Sequence, residues 1–108
     1  MLILFDQATP VPIRPYLAGH TVRTAYEQGW DKLKNGELLK AAEEAGFELF
    51  VTTDKNIRHQ QNLTSLRIAI MVLGQQQWPN VRPHIHQIIE AVNRALPGSF
   101  TEVEMPFG

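Results

Sequence analysis

The sequence predicts an α/β fold: one domain over residues 1–108, a small three-layer α/β/α sandwich around a mostly parallel five-stranded sheet. Three observations carry this. Short strand-like runs alternate along the chain with helix-like segments in the order β-α-β-α-β-α-β-α-β, which places helices on both faces of a sheet. The runs at 2–5 and 68–73 are almost continuously apolar, as strands buried on both faces are. Right-handed crossovers between such strands make most of them parallel.

Leu2–Phe5 is the first strand and stops at Asp6. The prolines in Val11-Pro12-Ile13-Arg14-Pro15 suit a first helical turn, so a short helix is expected over about 11–18, closed by Gly19. His20–Thr24 alternates around Val22 and reads as a second strand; residues 25–34 read as a loop. Asn35 is a good helix cap, and Gly36–Ala45 is rich in Leu and Ala, with Gly46 at the left-handed C-terminal position. Glu48–Thr52 is the third strand. A short polar helix follows over 56–64, and Arg67–Leu73 is the fourth strand, closed by Gly74. Asn80 is placed to cap a longer helix, with Val81, Ile85, Ile88, Ile89, Val92 and Leu96 on one face and Pro97-Gly98 as its stop. Ser99–Glu104 alternates and forms an edge strand.

Composition removes several classes of function. The 108 residues include no cysteine, which excludes disulfides, thiolate metal sites and a cysteine nucleophile and agrees with a reducing, cytoplasmic setting. No apolar run approaches the roughly 20 residues that span a bilayer, so no membrane association is expected. The start, Met1 to Asp6, lacks the basic opening of a signal peptide. The net charge of −1 argues against broad nucleic-acid binding through overall charge. The charge is unevenly spread, however. Residues 55–89 contain Lys55, Arg58, Arg67 and Arg82 and no acid, so a local phosphate-binding patch belongs there, with His59 beside it; a solvated face without acids is the ordinary reading.

Ligands of open parallel sheets bind beyond the carboxyl ends of the strands. Asp6 and Asp54 fall at two such ends, and Glu37 lies in the first turn of the helix preceding the third strand. Converging carboxylates repel one another unless protonated or holding a cation. An oxygen-only set selects Mg²⁺ or Mn²⁺, and such a site binds phosphate and activates a water. The same acids have commonplace roles: Asp6 and Asp54 cap the helices that follow them, and Glu37 favours its own helix dipole. His84 and His86, two residues apart, point to different faces of a helix and make a poor metal pair. Trp30 and Trp78 are read as satellite core.

Three segments together resemble small stand-alone PIN-like domain proteins: Met-Leu-Ile-Leu-Phe-Asp at the start, Asn-Gly-Glu-Leu-Leu-Lys-Ala-Ala from Asn35, and Phe-Val-Thr-Thr-Asp-Lys-Asn over 50–56. The resemblance spans about residues 1–75. It implies a parallel α/β/α sandwich and a metal-dependent ribonuclease of the PIN nuclease superfamily, which includes toxins of toxin–antitoxin pairs. It further implies Asp6, Glu37 and Asp54 as catalytic metal ligands for Mg²⁺ or Mn²⁺, with Asn56 completing the shell. Lys55, Arg58 and Arg67 would position the phosphates of RNA. The sequence departs from the family's pattern at Gln7, Asn35 and Asn56, each standing where an acid is usual, so the acid count falls to three.

Two other readings remain open. One is a catalytically degenerate module on the same fold that binds nucleic acid or a protein partner, such as an antitoxin. The other is a phospho-acceptor receiver domain, which fits less well because Leu73-Gly74 and Glu104-Met105-Pro106 stand where its Ser/Thr and Lys belong. The edge-like last strand and the tail Met105-Pro106-Phe107 are also a candidate homodimer contact.

Overall fold

A computed structural model of the chain describes residues 1–60 and 65–106, apart from the side chains of residues 59 and 60. Five strands form one sheet: β1 (Leu2–Phe5), β2 (Thr21–Thr24), β3 (Leu49–Thr52), β4 (Ala69–Leu73) and β5 (Phe100–Val103). Their order is β2-β1-β3-β4-β5, and every neighbouring pair is parallel. The expected α/β architecture with a parallel sheet is therefore present.

The strands alternate their apolar side chains between two cores, which makes three layers. Ile3, Phe5, Leu49, Val51, Met71 and Leu73 face one side. There they meet a 3₁₀ helix (Val11–Tyr16) and the helical segments α3 (Trp78–Val81) and α4 (Ile85–Arg94). Leu4, Phe50, Ile70 and Val72 face the other side. They pack against α1 (Asn35–Glu44) and α2 (Ile57–Gln60). Strands β1 and β4 are thus apolar at every position because both of their faces are covered. Residues 61–64 of the expected polar helix, and Phe107 of the expected tail contact, lie outside the described residues.

Three local expectations are corrected. The cap of α1 is Lys34, whose backbone is extended (ψ 162°); Asn35 is the first helical residue. The side chain of Asn35 is thereby free for a tertiary contact. The long helix from Asn80 is instead α3, a 3₁₀ turn (Arg82–His84) and α4. Pro83 lacks an N–H and its ring crowds the carbonyl of the preceding turn, which breaks a continuous α ladder there. The α4 helix also ends at Arg94, because Ala95 is extended (ψ 131°) on the approach to Pro97. Leu96 therefore leaves the apolar stripe and is 68% exposed. Gly46 does close α1 with φ +87°. Its N–H donates to the Glu43 carbonyl, and Phe47 N–H donates to that of Ala42.

The amino ends of the strands are fastened by side-chain carboxylates. Glu43 of α1 accepts the N–H of Arg67 on one oxygen (2.9 Å) and that of Ile68 on the other (2.8 Å). Glu48 accepts the N–H of Leu2 at 3.0 Å. The carboxyl ends carry the site described next.

Candidate active site at the carboxyl rim

The strand order reverses between β1 and β3, where crossovers leave in opposite directions, the switch point beyond whose carboxyl ends open parallel sheets bind ligands. Asp6 follows β1 and continues its ladder, its N–H donating to the Val51 carbonyl (3.1 Å). Among the described residues the buried polar or charged side chains are Asp6, Thr9 and Thr52, and all three meet at this switch point. Thr9 donates its N–H (3.0 Å) and sets its hydroxyl (2.5 Å) against Asp6 Oδ1. The Thr9 hydroxyl also lies 3.0 Å from the Val51 carbonyl, so its single proton is shared between two acceptors. Thr52, at the end of β3, donates its hydroxyl to Asp6 Oδ2 at 2.5 Å.

Burying a carboxylate is costly unless hydrogen bonds replace its water. Here three donors do so, and they also fix the carboxylate plane. The Thr52 oxygen accepts the N–H of Asp54 at 3.0 Å, so one hydroxyl ties Asp6 to the backbone that carries Asp54. Asp54 Oδ1 accepts the Asn56 N–H (3.0 Å), an Asx turn leading into α2. Its Oδ2 accepts from Asn35 Nδ2 at 3.2 Å. The first turn of α1 therefore reaches over to the end of β3, as a site built from both elements requires.

Glu37 is placed differently. It is exposed, and its Oε1 accepts the Lys34 N–H at 3.2 Å, capping its own helix. Among the described residues no three His, Cys, Asp or Glu side chains are grouped to hold a metal ion. The structure thus joins Asp6 and Asp54 through Thr52, adds Asn35, and turns Glu37 to a capping role. The sequence reading missed Thr9 and Thr52. The available signal was their position beside strand ends, where a hydroxyl reaches a neighbouring carboxylate.

The basic residues are dispersed. Lys55 is exposed beside Asp54 and lines the rim next to Gly74 and Gln75. Arg58 stacks its guanidinium over the Phe100 ring, 4.0 Å from the centroid. Arg67 precedes β4 and so lies at the opposite end of the strands from Asp6 and Asp54. His59 lies outside the described side chains. His84 meets Gln87 and the Pro106 carbonyl while His86 is exposed, so the two do not form a pair. Trp30 packs edge-on against Phe47 (5.9 Å), and Trp78 lies 6.0 Å from Tyr16.

No protein-family model matches the chain, and comparison with curated proteins and with solved structures finds no match either.

Proposed function

We propose that the protein is a metal-dependent ribonuclease of PIN-like type, acting at the carboxyl rim between β1 and β3. The observation that supports this is the convergence of the buried polar side chains on one carboxylate, Asp6, at the topological switch point. A fold gains no stability from placing a carboxylate there in preference to an apolar side chain. A fixed, water-poor carboxylate at that place is what phosphoryl chemistry uses.

The donor set fits a hard divalent cation, Mg²⁺ or Mn²⁺. Only oxygen ligands are present, and Mg²⁺ is commonly held by one or two carboxylates together with substrate phosphates. Asp6 and Asp54 would hold it, with the side-chain carbonyl of Asn35 or Asn56 as a neutral donor. Such an ion offsets phosphate charge and lowers the pKa of water. Thr9 and Thr52 hold the Asp6 carboxylate in place, as hydrogen-bonded neighbours of ligating carboxylates do. Lys55, the residue after Asp54, offers a cation to a phosphate of the RNA chain. Arg58 and Arg67 have no part in this reading, the first being stacked on Phe100 and the second at the far end of the sheet. With two carboxylates, the ion should bind weakly alone and more tightly with substrate.

The test is cleavage of a mixed single-stranded RNA pool with Mn²⁺, with Mg²⁺ or with EDTA, beside D6N and D54N. Metal-dependent cleavage that is lost in both variants supports the proposal. Full activity in both variants would sink it.

A second reading, a degenerate binding module, is favoured by the capping role of Glu37 and by Asn35 facing Asp54. Folded protein that binds the RNA pool but leaves it intact at millimolar metal would select it.

A further inference from the structure

Two cavities abut at the carboxyl ends of β4 and β5, and both are lined by Lys55, Leu73, Gly74 and Gln75. The smaller, about 280 Å³, extends to Thr53 and Gln76, next to Asp54. No acid lines it. The larger, about 370 Å³, runs outward to Met105 and Pro106 and carries two carboxylates, Glu102 and Glu104. Its size falls in the range of small-molecule sites, roughly 300–1,000 Å³. Together they make one trough with Lys55 at its middle, donors toward the Asp54 end and acceptors toward the other.

We propose that this trough binds a guanine nucleotide unit of single-stranded RNA, the phosphate at the smaller cavity and the base in the larger one. This extends the ribonuclease reading by naming a substrate subsite.

The polarity along the trough carries the argument. A phosphate needs donors and positive charge and is repelled by carboxylates, so it takes the end with Lys55, the Thr53 hydroxyl and the Gln76 amide. The acceptor-only carboxylates of Glu102 and Glu104 need donors. Single-stranded RNA is read on the Watson–Crick edges of its splayed bases. Guanine presents N1–H and N2–H side by side on that edge, matching the two oxygens of a carboxylate. Uracil presents one N–H between two carbonyls, which a carboxylate repels. Pro106, exposed on the lining of the larger cavity, supplies an apolar surface for the base itself. Gln75 donates its amide to the Met105 carbonyl at 3.0 Å. Gly74 N–H donates to the Val103 carbonyl at 2.9 Å. The trough walls are therefore pinned to each other. A Cβ at Gly74 would lie 2.9 Å from the Met105 nitrogen, so glycine is what lets these walls approach.

The experiment is an amide chemical-shift titration of the full chain with guanosine 5′-monophosphate in EDTA, with uridine 5′-monophosphate as the control. The expected result is saturable shifts at Gly74, Gln75 and Val103, with the uridine nucleotide at least tenfold weaker. K55M should weaken guanosine binding at least fivefold. The exposed pair E102Q/E104Q should reduce the preference for guanosine over uridine while phosphate-end shifts persist. Equal affinity for both nucleotides, no binding at millimolar concentration, or shifts confined to another face would overturn the proposal. The titration contains no metal and requires no turnover. A trough that binds guanosine in a chain that never cleaves RNA would refute the ribonuclease reading alone. Cleavage without guanosine binding would refute the trough alone.

Discussion

The Thr52 hydroxyl donates to Asp6 Oδ2 at 2.5 Å and in turn accepts the Asp54 N–H at 3.0 Å, so one side chain binds the end of β1 to the turn after β3. Thr52 is fully buried. T52V keeps the shape but leaves a carboxylate oxygen and a backbone N–H without that partner. Each orphaned buried group costs about 1–3 kcal/mol. T52V is expected to lose about 3 kcal/mol in urea denaturation. T52S, which retains the hydroxyl and loses one methyl, should lose about 1 kcal/mol. Equal losses for the two would show that the hydroxyl contributes little.

Asp6 itself separates stability from chemistry. In D6N the amide oxygen still accepts from Thr9, while the NH₂ meets Thr52, whose proton loses its acceptor. A cost of about 1–2 kcal/mol is expected. D6A strips the partners from both threonine hydroxyls and the Thr9 N–H, and should cost about 2–4 kcal/mol by the same reasoning. Denaturation curves for the two variants, run beside the cleavage assay, check this order. D6N should remain folded and inactive.

Asn35 faces Asp54 with a donor where an acid would repel it. In N35D two carboxylates face each other without a proton or cation between them. Its melting temperature in EDTA should fall below that of the parent, by an amount corresponding to about 2 kcal/mol lost with the charged hydrogen bond. Millimolar Mn²⁺ should then raise it more than it raises the parent, since a ligand that binds only the folded state stabilises it. Identical Mn²⁺ shifts in both proteins would place the cation elsewhere.

Arg14 donates two guanidinium hydrogen bonds to Glu27, at 2.7 and 3.2 Å. These bonds, with the Thr24 N–H next, hold the Glu27 carboxyl below its ordinary value of 4.5. A depressed folded pKa adds stability that is fully present above 4.5 and is lost as pH falls through the lower folded value. The difference in urea midpoint between parent and E27Q should therefore be largest near neutral pH and should close below pH 4.5. The pair is exposed, so raising salt at neutral pH should narrow the gap too. A gap unchanged from pH 7 to pH 3 would exclude this ion pair as its source.

At the opposite end of the sheet, Glu43 serves two consecutive backbone donors at the entry to β4. E43A leaves both without their carboxylate and should destabilise by about 1–3 kcal/mol; E43Q retains one acceptor and should cost less. Hydrogen exchange at Ile68 should accelerate in E43A ahead of global unfolding. Unchanged exchange there would mean water replaces the carboxylate at no cost.

Local pattern was enough to determine the strands and the helix α1. The apolar runs at 2–5 and 68–73, the glycine at 46 and the alternation around Val22 each encode a strand or a stop within a few residues, because covalent geometry and burial act at that range. The parallel sheet follows from their order. The break at Pro83 was also written locally, but the 3.6-residue periodicity on either side of it hid it. The site was legible in part: Asp6 and Asp54 stand at strand ends in the sequence itself. What only the tertiary structure decided is which side chains meet at the carboxyl rim. Thr52 reaches the Asp6 carboxylate from another strand and Thr9 from the turn after β1, Asn35 reaches Asp54 across nineteen residues, and Glu37, two residues from Asn35, turns back to cap its helix. Those outcomes depend on the strand order β2-β1-β3 and on the rotation of α1 about its axis. A single-chain pattern does not carry that rotation, because it is set by how Leu38, Leu39 and Ala42 pack beneath the helix.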